Sequence, residues 1–237
     1  MHDSFNGSRP DDSVDPPIPP RLPRILRASP HWVVVDKPVG MLSVPGRAPQ
    51  HRWSVALWAA REFPNASGPI SVHRLDMETS GLLLLALDAP THAALSRQFE
   101  SRTTEKTYIA ILDTRPDAPP LADEGEVNLP IAPDWPNRPR QLICHTTGRP
   151  ARTLYRVLHR APAVARVEFR PITGRTHQLR LHAATPAEQG GMGAPIQGDR
   201  LYNPAPTTPR LMLHAATLAF TDPPTGERIH AQSDPGF

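Results

Sequence analysis

The sequence predicts a single α+β domain with a largely antiparallel, mixed sheet flanked by helices. Three observations predict it. Several segments alternate apolar and polar residues around tight turns, a few short segments carry apolar residues at helical spacing, and 31 prolines in 237 residues oppose a helical bundle. No internal repeat and no second core is evident. Residues 1–24 hold four aspartates, three arginines and six prolines with few apolar anchors, and read as a disordered tail ahead of a domain over 25–237. "WVVVDKPVGMLSVPG" (32–46) reads as a buried strand followed by Pro-Gly turns. "SVALWAAREF" (54–63) has helical spacing and stops at Pro64. The apolar run Leu82 to Leu87 is a buried strand fed by a Thr79-Ser80-Gly81 turn. "PTHAALSRQFESR" (90–102) is a helix with Pro90 in its first turn.

"EKTYIAIL" (105–112) alternates as a half-buried strand, with Thr107, Ile109 and Ile111 on the core side and Lys106, Tyr108 and Ala110 on the other. Residues 114–123 read as loop. "ARTLYRVLHR" (151–160) and "VARVEFRPI" (164–172) form a hairpin about Ala161-Pro162, with Val167 and Phe169 inward and Arg166, Glu168 and Arg170 outward. "THQLRLHAAT" (176–185) fits a short helix, 190–198 a loop, and "RLMLHAATLAFT" (210–221) the final strands.

Composition narrows the function. The lone cysteine, Cys144, allows no internal disulfide and fits a reducing, cytoplasmic setting. No apolar stretch approaches a membrane span, and the first twenty residues lack the basic start and apolar centre of a signal peptide. Net charge is only +3, yet between Arg138 and Arg180 there are ten arginines and a single acid, Glu168. That imbalance reads as a footprint for a polyanion, with nucleic acid favoured, although an Arg-rich codon bias explains the choice of arginine over lysine.

Metals and nucleotides are not implied. His177 and His182 are five apart and Cys144 has no partner at zinc-ligand spacing. "GGMGAPIQGD" (190–199) lacks the lysine and hydroxyl of a phosphate loop, and no serine sits in a nucleophile elbow. Carboxylate, phenol and guanidinium remain. Asp76 sits in a loop before a buried strand, where it either does chemistry or caps the turn backbone. Tyr108 follows Lys106 on one strand face, and "RPITGRTHQLRLH" (170–182) sets a Thr-Gly turn before a helix carrying Arg180, a natural place for a phosphate. Each of these also has a plain structural reading. Glu78, two residues from Asp76, keeps open a base-excising hydrolase working with a carboxylate pair. A non-catalytic RNA-binding protein is the other alternative.

The motifs "HRLDMETSGLLLLAL" (73–87), "EKTYIAIL", "RPITGRTHQLRLH", "PIQGDRLY" (195–202) and "RLMLHA" (210–215) resemble, in order, the motif set of the RluA family of pseudouridine synthases. "KPVGMLSVPGR" (37–47) and "DWPNRPRQ" (134–141) resemble its single-domain members, and the likeness runs from about Val33 to Ala215. The family's extra S4-type RNA-binding module is not expected here. The resemblance implies a pseudouridine-synthase-like fold and a cofactor-free isomerase acting as a monomer on RNA, with the tRNA anticodon loop and a 23S rRNA hairpin as substrates. It implies Asp76 as the catalytic aspartate, Tyr108 as the tyrosine that packs on the target base, and Arg180 as the aspartate's basic partner. It implies Arg74 as the arginine that fills the gap left by the flipped base. His73, Lys106, Arg175, Arg138 and Arg140 join Arg74 as candidate RNA contacts. "TPAEQGGMGAP" (185–195) is longer than the expected link after the helix.

Overall fold

Two segments cannot tolerate water on either side, and they organise the rest. In the computed structural model, which describes residues 21–46, 52–114 and 120–237, these are β2 (Trp32–Lys37) and β3 (Ser80–Ala86), paired antiparallel from Trp32–Ala86 to Lys37–Gly81. Every residue of β3 is buried, as expected of a strand with no polar alternation. An edge strand, β1 (Arg24–Ala28), pairs with β2 and exposes most of its side chains, which hid it in the sequence. Residues 1–20 of the expected tail lie outside the described residues, as do 115–119 of the expected loop.

β4 (Glu105–Asp113), β8 (Arg152–Ala161) and β9 (Val164–Pro171) follow the alternation pattern, with β8 and β9 joined by the tight turn at Pro162-Ala163. β5 (Glu124–Asn128) extends the sheet beyond β8, and β6 (Ile131–Pro133) and β7 (Gln141–Ile143) make a separate hairpin. None of these three was legible, because each is short and Pro130, Pro133, Pro136 and Pro139 break up the run from β5 to β7. "RLMLHAATLAFT" supplies one strand, β10 (Leu213–Thr221); its partner β11 (Arg228–Gln232) comes from the segment after it. The nine-stranded sheet runs β1-β2-β3-β10-β4-β9-β8-β5, with β11 also on β10.

β10 is the seam. One edge pairs parallel with β3 at His214–Ser80 and Ala215–Gly81, the other antiparallel with β4. Gly81 has φ +107°, and a Cβ there would collide with the Ala215 carbonyl, so only glycine permits this approach. α1 (Val55–Glu62) starts at Ser54, whose Oγ accepts from the Leu57 amide at 3.2 Å. α2 (Ala89–Glu100) is capped by Asp88, which accepts from the Thr91 amide at 2.8 Å. α3 (Gln178–Ala184) is short and almost wholly buried.

The sequence suggested one core, but the interior is divided. One apolar cluster gathers β2, β3, α1 and Leu95 of α2; another gathers β4, β9, Leu179 and Ala183 of α3, and Ile196. Tyr108 packs against both. It does not lie on an outer face as expected: Ala110 and Leu112, on its side of β4, are fully buried.

Candidate active site

The loop carrying Asp76 is held from behind. Ser43 Oγ donates to the Leu75 carbonyl at 2.8 Å and accepts from the Leu75 amide at 2.9 Å. The Lys37 ammonium, wholly buried, donates to the carbonyls of Pro38 (2.9 Å), Met41 (2.7 Å) and Met77 (3.0 Å), one acceptor for each proton. Gly40 N–H also reaches the Met77 carbonyl at 2.9 Å. Burial pushes Lys37 down to about 7, while Asp76, Glu78 and Asp36 push it back up. The residues on both sides of Asp76 are thus pinned through the "KPVGMLS" segment. Sequence reading took that stretch only for turns, because its partner lies about forty residues away.

Pinning the backbone leaves the side chain free. Among the described residues the Asp76 carboxylate accepts no hydrogen bond from the turn, which removes the turn-capping alternative. Its partner is Arg180, with Nη1 at 3.8 Å from Oδ2. The side chain is 25% exposed rather than sealed, because the cleft in front of it is open. Asp76, Tyr108 and Arg180 line this cleft of about 730 Å³, within the usual range of ligand sites. Glu78 is not among its lining residues, so the carboxylate pair of a hydrolase does not form there.

Tyr108 sits on the sheet floor. Burial, and then the Asp76 charge, push its phenol well above the ordinary tyrosine value, so it offers a ring face and an O–H rather than a base. His73 and Lys106 line the same cleft. The His73 ring stacks on Phe99 (centroids 4.4 Å apart), and its Nε2 accepts from the Leu84 amide at 3.0 Å. Burial and the nearby Lys106 charge take His73 down to about 3, so it is a neutral ring with its acceptor already used. Lys106 lies over the Phe99 ring at 5.3 Å.

Arg180 does not reach for a phosphate from the helix start, as the sequence suggested. Its guanidinium is buried against Asp199, donating from Nε at 2.8 Å and from Nη2 at 2.7 Å. Burial opposes the Arg180 charge, and the Asp199 hydrogen bonds and charge, together with Asp76 and Tyr202, more than offset it, leaving its pKa raised. Asp199 also accepts from the amides of Leu201 (2.9 Å) and Tyr202 (3.1 Å). It stands inside the "PIQGDRLY" motif, yet carried no chemistry in the sequence because its partner is nineteen residues away. Tyr202 was missed too. The guanidinium groups of Arg180 and Arg140 lie 5.4 and 5.6 Å from its ring centroid. Its oxygen accepts from the Gln141 amide at 2.7 Å and its hydroxyl meets His177 Nδ1 at 2.8 Å. Accepting there leaves the hydroxyl proton for His177, which burial keeps below its ordinary value. His177 precedes α3 in the left-handed region, with φ +55°.

The arginine stripe is not one footprint. Arg152, Arg156 and Arg160 pair with Glu126, Glu168 and Asp123, and two of these acids come from residues 123–126, outside the counted segment. Strand pairing neutralises what counting along the chain could not. Besides Arg180 and Lys106, the cations that line the cleft are Arg74, Arg102, Arg149 and Arg175. Arg175 donates from Nε to the Pro150 carbonyl at 3.1 Å, and burial and the charges of Arg149 and Arg102 lower its pKa. Arg102 escaped notice because it lies before the stripe. Arg138 and Arg140 stand on the β6–β7 hairpin, away from the cleft lining. Among the described residues no group of three or more His, Cys, Asp or Glu could hold a metal, and no helix is long and apolar enough to cross a membrane. Both His182 nitrogens are engaged, by Thr153 and the Leu129 carbonyl.

A carboxylate, a neutral phenol and a buried guanidinium in a cation-rimmed cleft, on a mixed sheet of this order, define an enzyme that works on a base within RNA. The chain belongs to the RNA pseudouridylate synthase family, whose sequence profile matches residues 31–185, and it is an isomerase that converts uridine in RNA to pseudouridine. It is 43% identical over 230 residues to the dual-specificity RNA pseudouridine synthase RluA of Escherichia coli strain K12, covering 95% of this chain and 99% of that one. It is 44% identical to the protein of the same name from Pasteurella multocida, covering 95% and 98%. Among solved structures it resembles human RNA pseudouridylate synthase domain containing 1, with TM-score 0.68 and 26% identity over 90% of this chain and 83% of that one.

Proposed function

We infer that this enzyme modifies uridines in the tRNA anticodon loop and in a 23S rRNA hairpin loop, working as a cytoplasmic monomer with Asp76 as its catalytic group. The observation that carries the reading is the Asp76 carboxylate, free of hydrogen bonds among the described residues and 3.8 Å from a guanidinium that is itself held by Asp199. Isomerisation breaks the bond between uracil N1 and ribose C1′, turns the base and rejoins it through C5. Atoms and electrons balance within the nucleotide. The target must first leave its stack, at a cost of a few kcal/mol that is least in a loop.

In this reading Arg74, exposed at the cleft mouth, fills the vacancy and stacks on neighbouring bases. The uracil lies on the Tyr108 ring, and its entry completes the exclusion of water from Asp76. Arg180 steadies the carboxylate as charge shifts between acid and nucleotide. Arg175, Arg149 and Arg102 at the rim hold flanking phosphates, with Lys106 beside them, whereas His73 shapes the wall. Target choice rests on this domain and its loops, which fits recognition of the folded shape of the RNA loop. Two highly similar relatives bear the description dual-specificity, which favours two RNA classes over one. Mapping pseudouridine in total tRNA and rRNA from cells with and without the gene tests this: loss is expected at one anticodon-loop site and one 23S site. An unchanged map would refute the target assignment.

A further inference from the structure

The β6–β7 hairpin carries a side chain that neither the fold nor the cleft uses. Of the four tryptophans, Trp32, Trp53 and Trp58 are 4, 9 and 7% exposed, whereas Trp135 is 65% exposed. Trp135 belongs to none of the apolar clusters. Its one ring contact is Arg138, whose guanidinium covers one face at 3.8 Å from the centroid. The tip that presents it is braced. Asp134 N–H donates to the Arg140 carbonyl at 3.1 Å, Asn137 N–H to the Asp134 carbonyl at 3.1 Å, and Arg140 N–H to the Asn137 carbonyl at 3.0 Å. The tip's acid, Asp134, is occupied by the Asn137 amide at 3.0 and 3.1 Å. The hairpin base is fixed as well, through Ile131 and Ile143 packed with Leu181 of α3 and through Gln141 on Tyr202.

A large aromatic face, stiffened from behind by a guanidinium, suits a flat, electron-rich ring attached to a polyanion. We propose that Trp135 and Arg138 form a stacking site for an unpaired base of the RNA substrate, outside the catalytic cleft. The occupant is a nucleobase rather than an apolar protein surface, because a guanidinium covers one face of the ring and the adjoining acid, Asp134, is already held by Asn137. The hairpin is tied to Arg180 through Tyr202, so a base held at the tip also fixes how the rest of the loop meets Asp76. This rests on RNA being the substrate and not on which uridine is chosen, so a changed or unchanged pseudouridine map does not decide it.

The test uses full-length Asp76→Asn protein, so that RNA is not turned over, with unfractionated tRNA as the probe. Because the other three tryptophans are buried, neutral acrylamide quenching reads Trp135. Saturating RNA is expected to shield the quenchable emission, and that shielding is expected to vanish in Trp135→Phe. Stacking on an aromatic side chain contributes about 1–3 kcal/mol per base, so Trp135→Ala should weaken RNA binding about 5- to 150-fold while Trp135→Phe stays within a few-fold. The salt dependence of binding should not change in Trp135→Ala, since no charge is removed. Full quenching at saturating RNA, or equal affinity for Trp135→Ala, would overturn the proposal. So would a concentration-dependent drop in sedimenting mass caused by Trp135→Ala without RNA, which would assign the face to a second copy of the chain.

Discussion

The half of the molecule that carries Asp76 and the half that carries Arg180 are held by different physics. Around β2 and β3 the interior is apolar, with Val33 to Val35 and Leu83 to Leu85 fully buried, and the Asp76 loop is fastened by its main-chain carbonyls accepting from the Lys37 and Ser43 side chains. Around α3 the apolar interior is crossed by a buried polar network. Gln178 donates to the Arg152 carbonyl and Thr153 and accepts from Thr173 and the Arg175 amide, His182 joins Thr153 to Leu129, and Arg180 lies on Asp199. Packing fixes a carboxylate's position without using its oxygens. A guanidinium, with five donors in one plane, needs partners at defined angles, and a closed polar network supplies them.

Substitutions can break this contrast at graded cost. Asp76→Asn should lower pseudouridine formation by about three orders of magnitude or more while RNA binding in a filter assay persists, since it removes the reacting group and little of the surrounding packing. Asp199→Ala leaves Arg180 buried without its bidentate partner. It should destabilise the protein by about 3–5 kcal/mol in urea unfolding and slow turnover beyond any loss of folded enzyme. Leu84→Ala should cost about 2–5 kcal/mol, with turnover per folded molecule retained, because the apolar half contributes position rather than charge.

Lys37 sharpens the comparison through pH. Its folded value of about 7 lies below its ordinary 10.5, so between those values the unfolded chain binds more protons. The wild type should therefore gain stability relative to Lys37→Met as pH rises through that window, by at most about 1.4 kcal/mol per pH unit, and the difference should level off below about 7. Parallel urea titrations across the window check the sign. Smallest is Tyr202→Phe, which removes one hydroxyl between Gln141 and His177 and should cost about 1 kcal/mol by the same measurement.

The same contrast explains what the sequence disclosed. Period-two alternation in β8 and β9, and the unbroken apolar runs of β2 and β3, report burial that neighbours in the chain already reveal, whereas in β4 alternation marks the strand but not that the Tyr108 side is buried. Asp76, Tyr108 and Arg180 were legible because ordered motifs carry them. Asp199 and Lys37 lay within quoted motifs without a role, since their meaning comes from partners nineteen to forty residues away. The arginine stripe misled for a similar reason: Glu126 and Asp123 reach Arg152 and Arg160 only once β5 lies beside β8. The β6–β7 hairpin was hidden because its prolines mask the strand pattern.

The place of β10 between β3 and β4 has a consequence for synthesis. On the ribosome, the Asp76 loop, Tyr108 and Arg180 all emerge before residues 213–221, yet the strand that welds their two halves together comes after every one of them. Each half can begin to collapse as it appears, but the cleft needs residues 213–221 to clear the exit tunnel and pair with both edges. The two walls of the cleft are thus expected to meet only after residues 213–221 have joined β3 to β4.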